Sequence, residues 1–589
     1  MSLLVAFVGA TAESHATDPI AQRAQASLLR HGHANPVRLS WPGGHALWFG
    51  TPGSTGQSGA CLQLGKRFAA YVGAVHWQGL TGEPLLRQLL AEFREPRTIP
   101  WRDFSGAFAM LLSDGDGVWL LNDAVGLQKI YVNADRSVFT TSLLLSRSLL
   151  TRPRVNRLRA QEYVLLGGNH AHDTAIEGVR VQDPTQALEL RSQAATTLHA
   201  AQDWRVSTAF RTLSEAVDTL SDMIATDFAG MLKAFGPKIG MALSGGFDSR
   251  LLLAGLDHVG VQPTLYVYGA PEDDDVRIAL ARATALGMAI ECVDKRRINA
   301  QQPPLDRSSL RDSISFFDGL PIDGVFDRGA DRITRLQQVQ GGTLNLNGGG
   351  GEILRNFFYL PDRSYTAEDL VGAFYSNWLP QVIPSADEAA ALRQATAAGI
   401  LGELGLTAGN AAAARKLARG DVELVYTLFR LRYWMSRNNT VAARYGSFMT
   451  PLVHPRLVAL AATVPLHWKT HGDLEAAIIN KLSPRVAQGP SNYGFEFATG
   501  PTAAHRRHIA ATLYRPIAAR RRSARIRRLL GRNASVTAPP EWTAAFAPCA
   551  VDWIDPAFLT DSAQVNRLMT LCAVLDDDLC GVAEPPAPG

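Results

Sequence analysis

Cysteine is scarce in this chain and carries no pattern. The five residues Cys61, Cys292, Cys549, Cys572 and Cys580 are odd in number, widely scattered and without C-x-x-C spacing. That excludes a disulfide framework and a cysteine zinc site, and it predicts a reducing, cytoplasmic setting. His454 and His471 have no metal-ligand spacing to a cysteine or an acid, so no zinc is expected from them. No stretch reaches the roughly twenty apolar residues of a spanning helix. The start, MSLLVAFVGATAES, has no basic n-region and an apolar run only as long as a strand, so it is not read as a signal peptide. Acid is missing between Pro501 and Pro540, a segment that holds Arg506, Arg507, Arg515, Arg520, Arg521, Arg522, Arg525, Arg527, Arg528 and Arg532. It reads either as a solvated basic helix or as a dock for an acidic partner or peptide. Only Tyr514 interleaves the arginines and no recognised motif accompanies them, so no nucleic-acid partner is expected.

What is present is a long chain with a full apolar complement. With 589 residues, 46% of them apolar, it can build two or more domains, each with its own core. The net charge of +4, from 58 basic and 54 acidic residues, is too small to dictate a partner. The first two hundred residues read as short alternating strands with glycine-rich turns, among them LVAFVGA, RFAAYVGAVHW and GAFAMLLSDGDGVWLLNDAVGLQKIYV. From about Thr208 the period changes to that of long helices such as LSEAVDTLSDMIATDFAGMLKAF. A strand, a glycine turn and a helix follow, then the strand PTLYVYG, the acids EDDD and the helix VRIALARATALGM. Strand, helix, strand, helix predicts a parallel α/β sheet with its ligand at the C-terminal strand ends. The boundary is placed at residues 1–205 and 206–589, the latter including the basic helical segment 501–540.

The turn lies in MALSGGFDSRLLLAGLDH, residues 241–258. Between a buried strand and an apolar helix, such a turn aims backbone N–H groups and the positive helix end at one spot, and Gly245 and Gly246 admit an anion to the main chain. It has neither the spacing nor the lysine of the G-x-x-x-x-G-K-[ST] phosphate loop. The hydroxyls of Ser244 and Ser249 and the turn amides then grip phosphate, with Asp248 placed to hold Mg²⁺. The alternative is a plain glycine turn with Asp248 as an N-terminal cap.

SGGFDS at 244–249 resembles the S-G-G-x-D-S pyrophosphate loop of ATP-pyrophosphatase enzymes, and its surroundings resemble the asparagine synthetase branch. The resemblance implies ATP and Mg²⁺ as cofactors. It implies that the strand around Val267, Tyr268 and Gly269 holds the adenine and that Asp275 leads an ATP-contacting helix, against its reading as an N-cap. LNGGGGE at 346–352 falls where the family has S-G-x-G-x-D-E, which makes Gly349 and Gly350 nucleotide-binding and leaves Glu352 to share the metal with Asp248. Gly351 stands at the family's Asp. In MSRNNTVAARYGSFMTPLVHPRLVALAATVP, the family's substrate-pocket Glu, Arg and Asp fall at Ser447, Met449 and His454, which argues against an asparagine synthetase. Arg437 and Asn438 read either as substrate-pocket residues or as a structural pair. Lys481 reads either as a solvated lysine or as a cation that stabilises the departing phosphate.

The N-terminal half resembles the family's glutaminase domain, with Asn122 in place of its Arg. A working glutaminase needs a cysteine after Met1, and Ser2 stands there, so an inert scaffold is expected. The fold class implied is α/β: a layered, β-rich, glutaminase-like domain and a doubly wound parallel synthetase domain. The amine must then come from a substrate, and if it lies in the same molecule as the carboxylate the product is a ring. GGGGEILRNFF and PSNYGFEF resemble the lasso peptide cyclases, where other branches carry a lysine near Asn492. The activity implied is adenylation of an Asp or Glu side chain of a precursor peptide, then attack by its N-terminal amine, with a companion leader-peptide protease as partner. The alternatives are β-lactam synthetase-like closure of a small amino acid and asparagine synthetase-like amidation.

Overall fold

Period-2 alternation builds the first half of the molecule. The computed structural model describes residues 2–9, 19–33, 35–50, 58–170, 172–321, 324–325, 327–406, 415–531 and 551–580. In it, β1 (Leu3–Val8), β2 (Val37–Trp41), β3 (Gly44–Phe49), β4 (Ala60–Leu64), β5 (Arg67–His76), β6 (Ser105–Ser113), β7 (Val118–Asn122), β8 (Tyr131–Asn133), β9 (Val138–Thr140), β10 (Val179–Val181), β11 (Gln186–Glu189) and β12 (Ala195–Thr197) form two antiparallel sheets. Their orders are β10-β8-β9-β1-β3-β2 and β12-β11-β7-β6-β5-β4. Leu4 and Ala6 of β1 meet Phe68, Ala70 and Val72 of β5 in the core between the sheets. The intervening Ala69 and Tyr71 point outward, under Leu85, Leu86 and Leu89 of the helix Gly82–Glu92. Leu3, Val5 and Phe7 do the same under Ala21, Ala24 and Leu28 of the helix Pro19–Arg30. The result is helix, sheet, sheet, helix, with the residues of the central strands β1, β5 and β6 divided between apolar layers on the two faces of each sheet.

The second half begins with the helix Leu213–Phe235, whose N-cap Thr212 accepts from the N–H of Glu215. Its stripe of Val217, Leu220, Ile224, Phe228, Met231 and Phe235 shares one core with Met241, Leu252 and Leu256. A parallel sheet follows: β13 (Ile239–Ala242), β14 (Thr264–Tyr268), β15 (Ile290–Val293), β16 (Leu344–Leu346) and β17 (Phe448–Met449). Its order is β15-β14-β13-β16-β17. The chain steps outward from β13 through β14 to β15, then returns to lay β16 on the other side of β13. That reversal opens a crevice at the carboxyl ends of β13 and β16. The fold is α/β with antiparallel and parallel sheets, as expected from the two periodicities.

The two halves are knit together. Ser2 donates its N–H to Arg444 O at 2.9 Å and its hydroxyl to Ala443 O at 2.6 Å. Ser58 donates to Ala443 O and Gly446 O, and Arg432 Nε donates to Val125 O at 2.8 Å. The helix Ser562–Leu575 returns to pack on the helix Arg157–Leu166. The expected boundary at residue 205 thus falls between β12 and the helix Leu213–Phe235, while the end of the chain joins a core that residues 160–175 of the first half share with Trp378, Val382, Ile383, Ala389 and Leu392 of the second.

Candidate functional site

The turn after β13 and the turn after β16 face each other across the crevice. In the first, Gly246 is the N-cap of the helix Phe247–His258 and has no side chain to offer, so no side chain caps that end. Ser249 Oγ accepts from the Ser244 N–H at 3.1 Å and lies 3.0 Å from Ser244 Oγ, which in turn accepts from the Gly246 N–H at 3.2 Å. The two serines therefore brace the turn. Asp275 is not the N-cap of its helix, Asp274–Ala285; Asp273 is. Asp275 instead crosses to the turn and accepts from the Gly245 N–H at 3.1 Å and from the Asn492 amide. Asn492 lies so close that a Cβ at Gly245 would meet its Oδ1 at 2.0 Å.

Asn492 is carried there by PSNYGFEF. Arg250, fully buried, donates to the carbonyls of Val486, Gln488 and Pro490 and ties that loop under the turn. The alternate aromatics Tyr493, Phe495 and Phe497 all pack on Phe247, with Phe497 stacked at 4.4 Å.

The centre of the site is a charge cluster. Asp248 Oδ1 lies 2.6 Å from Arg355 Nη2, and Arg355 Nε lies 3.0 Å from Glu475 Oε2. Arg355 Nη1 donates to Tyr493 Oη at 3.2 Å, and its guanidinium lies 5.5 Å from the centre of the Phe247 ring. Glu352 Oε2 accepts from the Gly350 N–H at 3.1 Å and from the Tyr426 hydroxyl at 2.6 Å. Burial, with Glu352 nearby and against the pull of Arg355, pushes the Asp248 carboxyl up to about 6. Burial also pushes the Glu475 carboxyl well above its ordinary range, with Arg355 opposing the rise and Asp248 and Glu352 adding to it. Although burial opposes its charge, the acids around Arg355 hold that guanidinium firmly protonated.

Gly351 completes the cluster by being small, since a Cβ there would sit 2.2 Å from Asp248 Oδ1. The departure at position 351 and the ion pair at Asp248 are therefore one feature. The expected metal pair is Asp248 and Glu352. One Asp248 oxygen holds a guanidinium, one Glu352 oxygen holds two donors, and position 351 has neither an acid nor room for one. Each carboxylate keeps a second oxygen, so the pair would hold a Mg²⁺ together with the phosphates of a nucleotide rather than by itself. Among the described residues, no group of three or more His, Cys, Asp and Glu could hold a metal ion.

Beside the cluster lies a cleft of about 470 Å³ lined by Ala242, Tyr266, Tyr268, Asn347, Gly348 and Arg437, with Lys295, Arg335 and Trp434 further round. Val267 is buried behind it, while Tyr268 is 38% exposed and faces it. Gly269 takes φ +137° as the chain leaves β14 and donates its N–H to Val293 O. Gly349 donates its N–H to Asn347 Oδ1 at 2.6 Å, and Gly350, at φ +96°, makes the sharp turn toward Glu352. Ser244, Gly245, Gly246, Asp248, Ser249, Asp275, Gly349, Gly350 and Glu352 thus come together, with Val267, Tyr268, Gly269 and Arg437 along one side.

Lys481 does not join them. It is 42% exposed and pairs with Asp218 on the outer helix. Helical phase is the reason: Glu475, six residues earlier on Asp473–Leu482, points inward, and six residues carry Lys481 to another face. Sequence reasoning missed Arg355, Tyr426 and Glu475. Arg355 sat inside GGGGEILRNFF, and Glu475 was legible as a lone acid among Leu474, Ala476, Ile478 and Ile479. Met449 is buried in β17 and His454 caps the helix Pro455–Ala461, so neither reaches the cleft. In the basic segment, Arg506 pairs with Asp473 and Arg520 donates to backbone carbonyls, while Arg507, Arg515 and Arg522 are exposed. Arg532 lies outside the described residues, as does Cys549. Among the described residues, no helix is long and apolar enough to cross a membrane.

No family model matches the chain, and no curated protein does. Among solved structures it is similar to a glutamine phosphoribosylpyrophosphate amidotransferase from B. subtilis complexed with ADP and GMP. Identity is 10%, over 50% of this chain and 66% of that one, with a TM-score of 0.19. A likeness that low carries no argument.

Proposed function

We propose that the chain is an ATP-dependent, AMP-forming amide ligase that closes a macrolactam in a lasso-type precursor peptide. One observation carries the ligase reading: the SGGFDS turn and the GGGGE turn meet at the reversal point of a parallel sheet around a half-buried Asp248–Arg355 pair. ATP sits with its phosphates over the uncapped helix end. The peptide's Asp or Glu carboxylate attacks the α-phosphorus, the bond to the β-phosphate oxygen breaks, and pyrophosphate leaves. Helix N–H groups and the Arg355 guanidinium face the charge that builds on the leaving group. The N-terminal amine then attacks the acyl carbon, loses a proton and releases AMP. A separate protease sets that amine free.

Ser2 supports an internal amine, because its hydroxyl is spent on Ala443 O rather than set beside a base. The peptide as substrate rests on the resemblance of GGGGEILRNFF and PSNYGFEF, and the second of these is the loop that lays Asn492 and Tyr493 on the site. The Tyr426–Glu352 hydrogen bond favours a second reading, ring closure in a small amino acid, since a Tyr and Glu pair is what a resemblance to the β-lactam synthetases implies.

The test incubates the protein with ATP and a leaderless peptide bearing an N-terminal Gly and a ring-position Asp or Glu. The expected outcome is loss of one water from the peptide with AMP as the nucleotide product, abolished in Asp248→Asn and in Arg355→Met. Release of ADP, or full activity in both variants, would overturn the ligase reading. AMP formation with a free amino acid but no peptide would select the second.

A further inference from the structure

Between the two halves of the molecule lies a second cavity, of about 90 Å³, away from the charge cluster. The first half contributes Lys129, Tyr163 and Asn169, the second Ser436 and Arg437, and the returning C-terminal helix Thr570 and Leu571. No Asp or Glu lines it. Its two charged groups, Lys129 and Arg437, are donors only, and two polar atoms are unsatisfied: Tyr163 Oη and Arg437 Nε are buried without a hydrogen-bond partner. Lys129, itself buried, donates to Arg432 O at 3.0 Å and lies 4.5 Å from the centre of the Tyr433 ring, which leaves N–H groups to spare. The rest of the wall is apolar: Leu143, Ile176, Val181, Leu320 and Val574.

Buried donors without acceptors are destabilising unless something accepts from them. A volume of this size holds several waters or one small molecule. We propose that this cavity is a binding site for a carboxylate on a short apolar body, received by Lys129, Tyr163 and Arg437. The inference does not rest on the ligase reading. Two sources carry that chemistry, a free short-chain acid and the C-terminal carboxylate of a peptide. The state of Lys129 supports an anion. Burial, with Arg432 adding to it and Glu403 and Asp123 opposing, brings its amine down to about 7. A bound carboxylate restores the proton, so binding takes up a proton near neutral pH and weakens as pH rises above that value. Arg437 also lines the 470 Å³ cleft and is the wall common to both spaces.

The test titrates the full chain with butyrate, and separately with butyramide, by calorimetry in two buffers of different ionisation heat. Saturable binding of butyrate with proton uptake, and at least tenfold weaker binding of the amide, is expected; about tenfold is the worth of one charge-assisted hydrogen bond. Tyr163→Phe keeps the packing and removes only the hydroxyl, so it weakens butyrate binding while unfolding at the wild-type temperature; Lys129→Met abolishes the proton uptake. Competition by a peptide acid, and none by its C-terminal amide, assigns the site to a peptide end. Binding of butyrate that no peptide acid displaces assigns it to a free acid. No saturable binding, or equal binding of butyrate and butyramide, overturns the proposal.

Discussion

Asp248 titrates where its surroundings put it, and those surroundings are individually removable. Its carboxyl, held at about 6, is ionised at neutral pH and takes a proton as pH falls through that value. If the charged form holds Arg355 in place for the leaving phosphate, ATP–pyrophosphate exchange has an acid limb near pH 6. Glu352 raises the Asp248 carboxyl, so Glu352→Gln moves the limb to lower pH. A measured pH profile that stays fixed in this variant would show that another group titrates. The stability effect has its own sign. Folding raises the Glu475 carboxyl, so its contribution is most favourable at low pH and is lost as pH rises through the raised value. Glu475→Gln, a permanent stand-in for the protonated acid, is expected to unfold at or above the wild-type temperature at pH 8. At this scale the glycines and Asp248 were legible because their chemistry is local. Glu475 stood out only as a lone acid among apolar residues, and its pairing with Arg355, like that of Arg355 with Asp248, was not legible, since a cation's partners are decided by elements more than one hundred residues apart.

Elements were legible where one period ran long enough, and the close contacts between them were not. RFAAYVGAVHW alternates and forms β5, but nothing in it announces that Gly73 and Gly106 let β5 and β6 approach backbone to backbone. Gly106 takes φ +130°, and a Cβ there would lie 2.1 Å from Ala74 O; Gly73 takes φ +101° with Ala107 O at the same distance. Gly106→Ala is therefore expected to destabilise the first half by about 1–3 kcal/mol, read as an earlier first transition in thermal unfolding. Gly260→Asn makes the control, since its positive φ lies in open space and Asn tolerates that region. Equal transitions for the two variants would show that the β5–β6 contact is softer than its geometry implies. β17, two residues long, was invisible to any period; it forms because Asn345 and Leu346 present an open parallel edge to Phe448 and Met449.

At the scale of the whole molecule, sequence order and spatial order part company. The change of period near residue 205 marks where one architecture ends, yet the helix Ser562–Leu575 closes the core of the other, with Leu568, Leu571 and Cys572 against Ala160, Tyr163 and Val164. Arg147 fixes the junction. Its side chain is fully buried and donates to Val574 O at 2.8 Å and Leu575 O at 2.9 Å, with Asp577 at 2.6 Å. Removing residues 551–589 would strip those acceptors from a buried guanidinium and open an apolar face on the helix Arg157–Leu166, two changes that each destabilise. The shortened chain is expected to lose protection across 143–166 while the helix Leu213–Phe235, in a different core, keeps its own. Hydrogen exchange followed by peptide mass reads both regions in one experiment. Equal protection of 143–166 in the full and shortened chains would mean that the first half folds without its C-terminal helix. Loss spreading equally into 213–235 would mean that the two halves unfold as one unit, as their shared hydrogen bonds at Ser2, Ser58 and Arg432 permit.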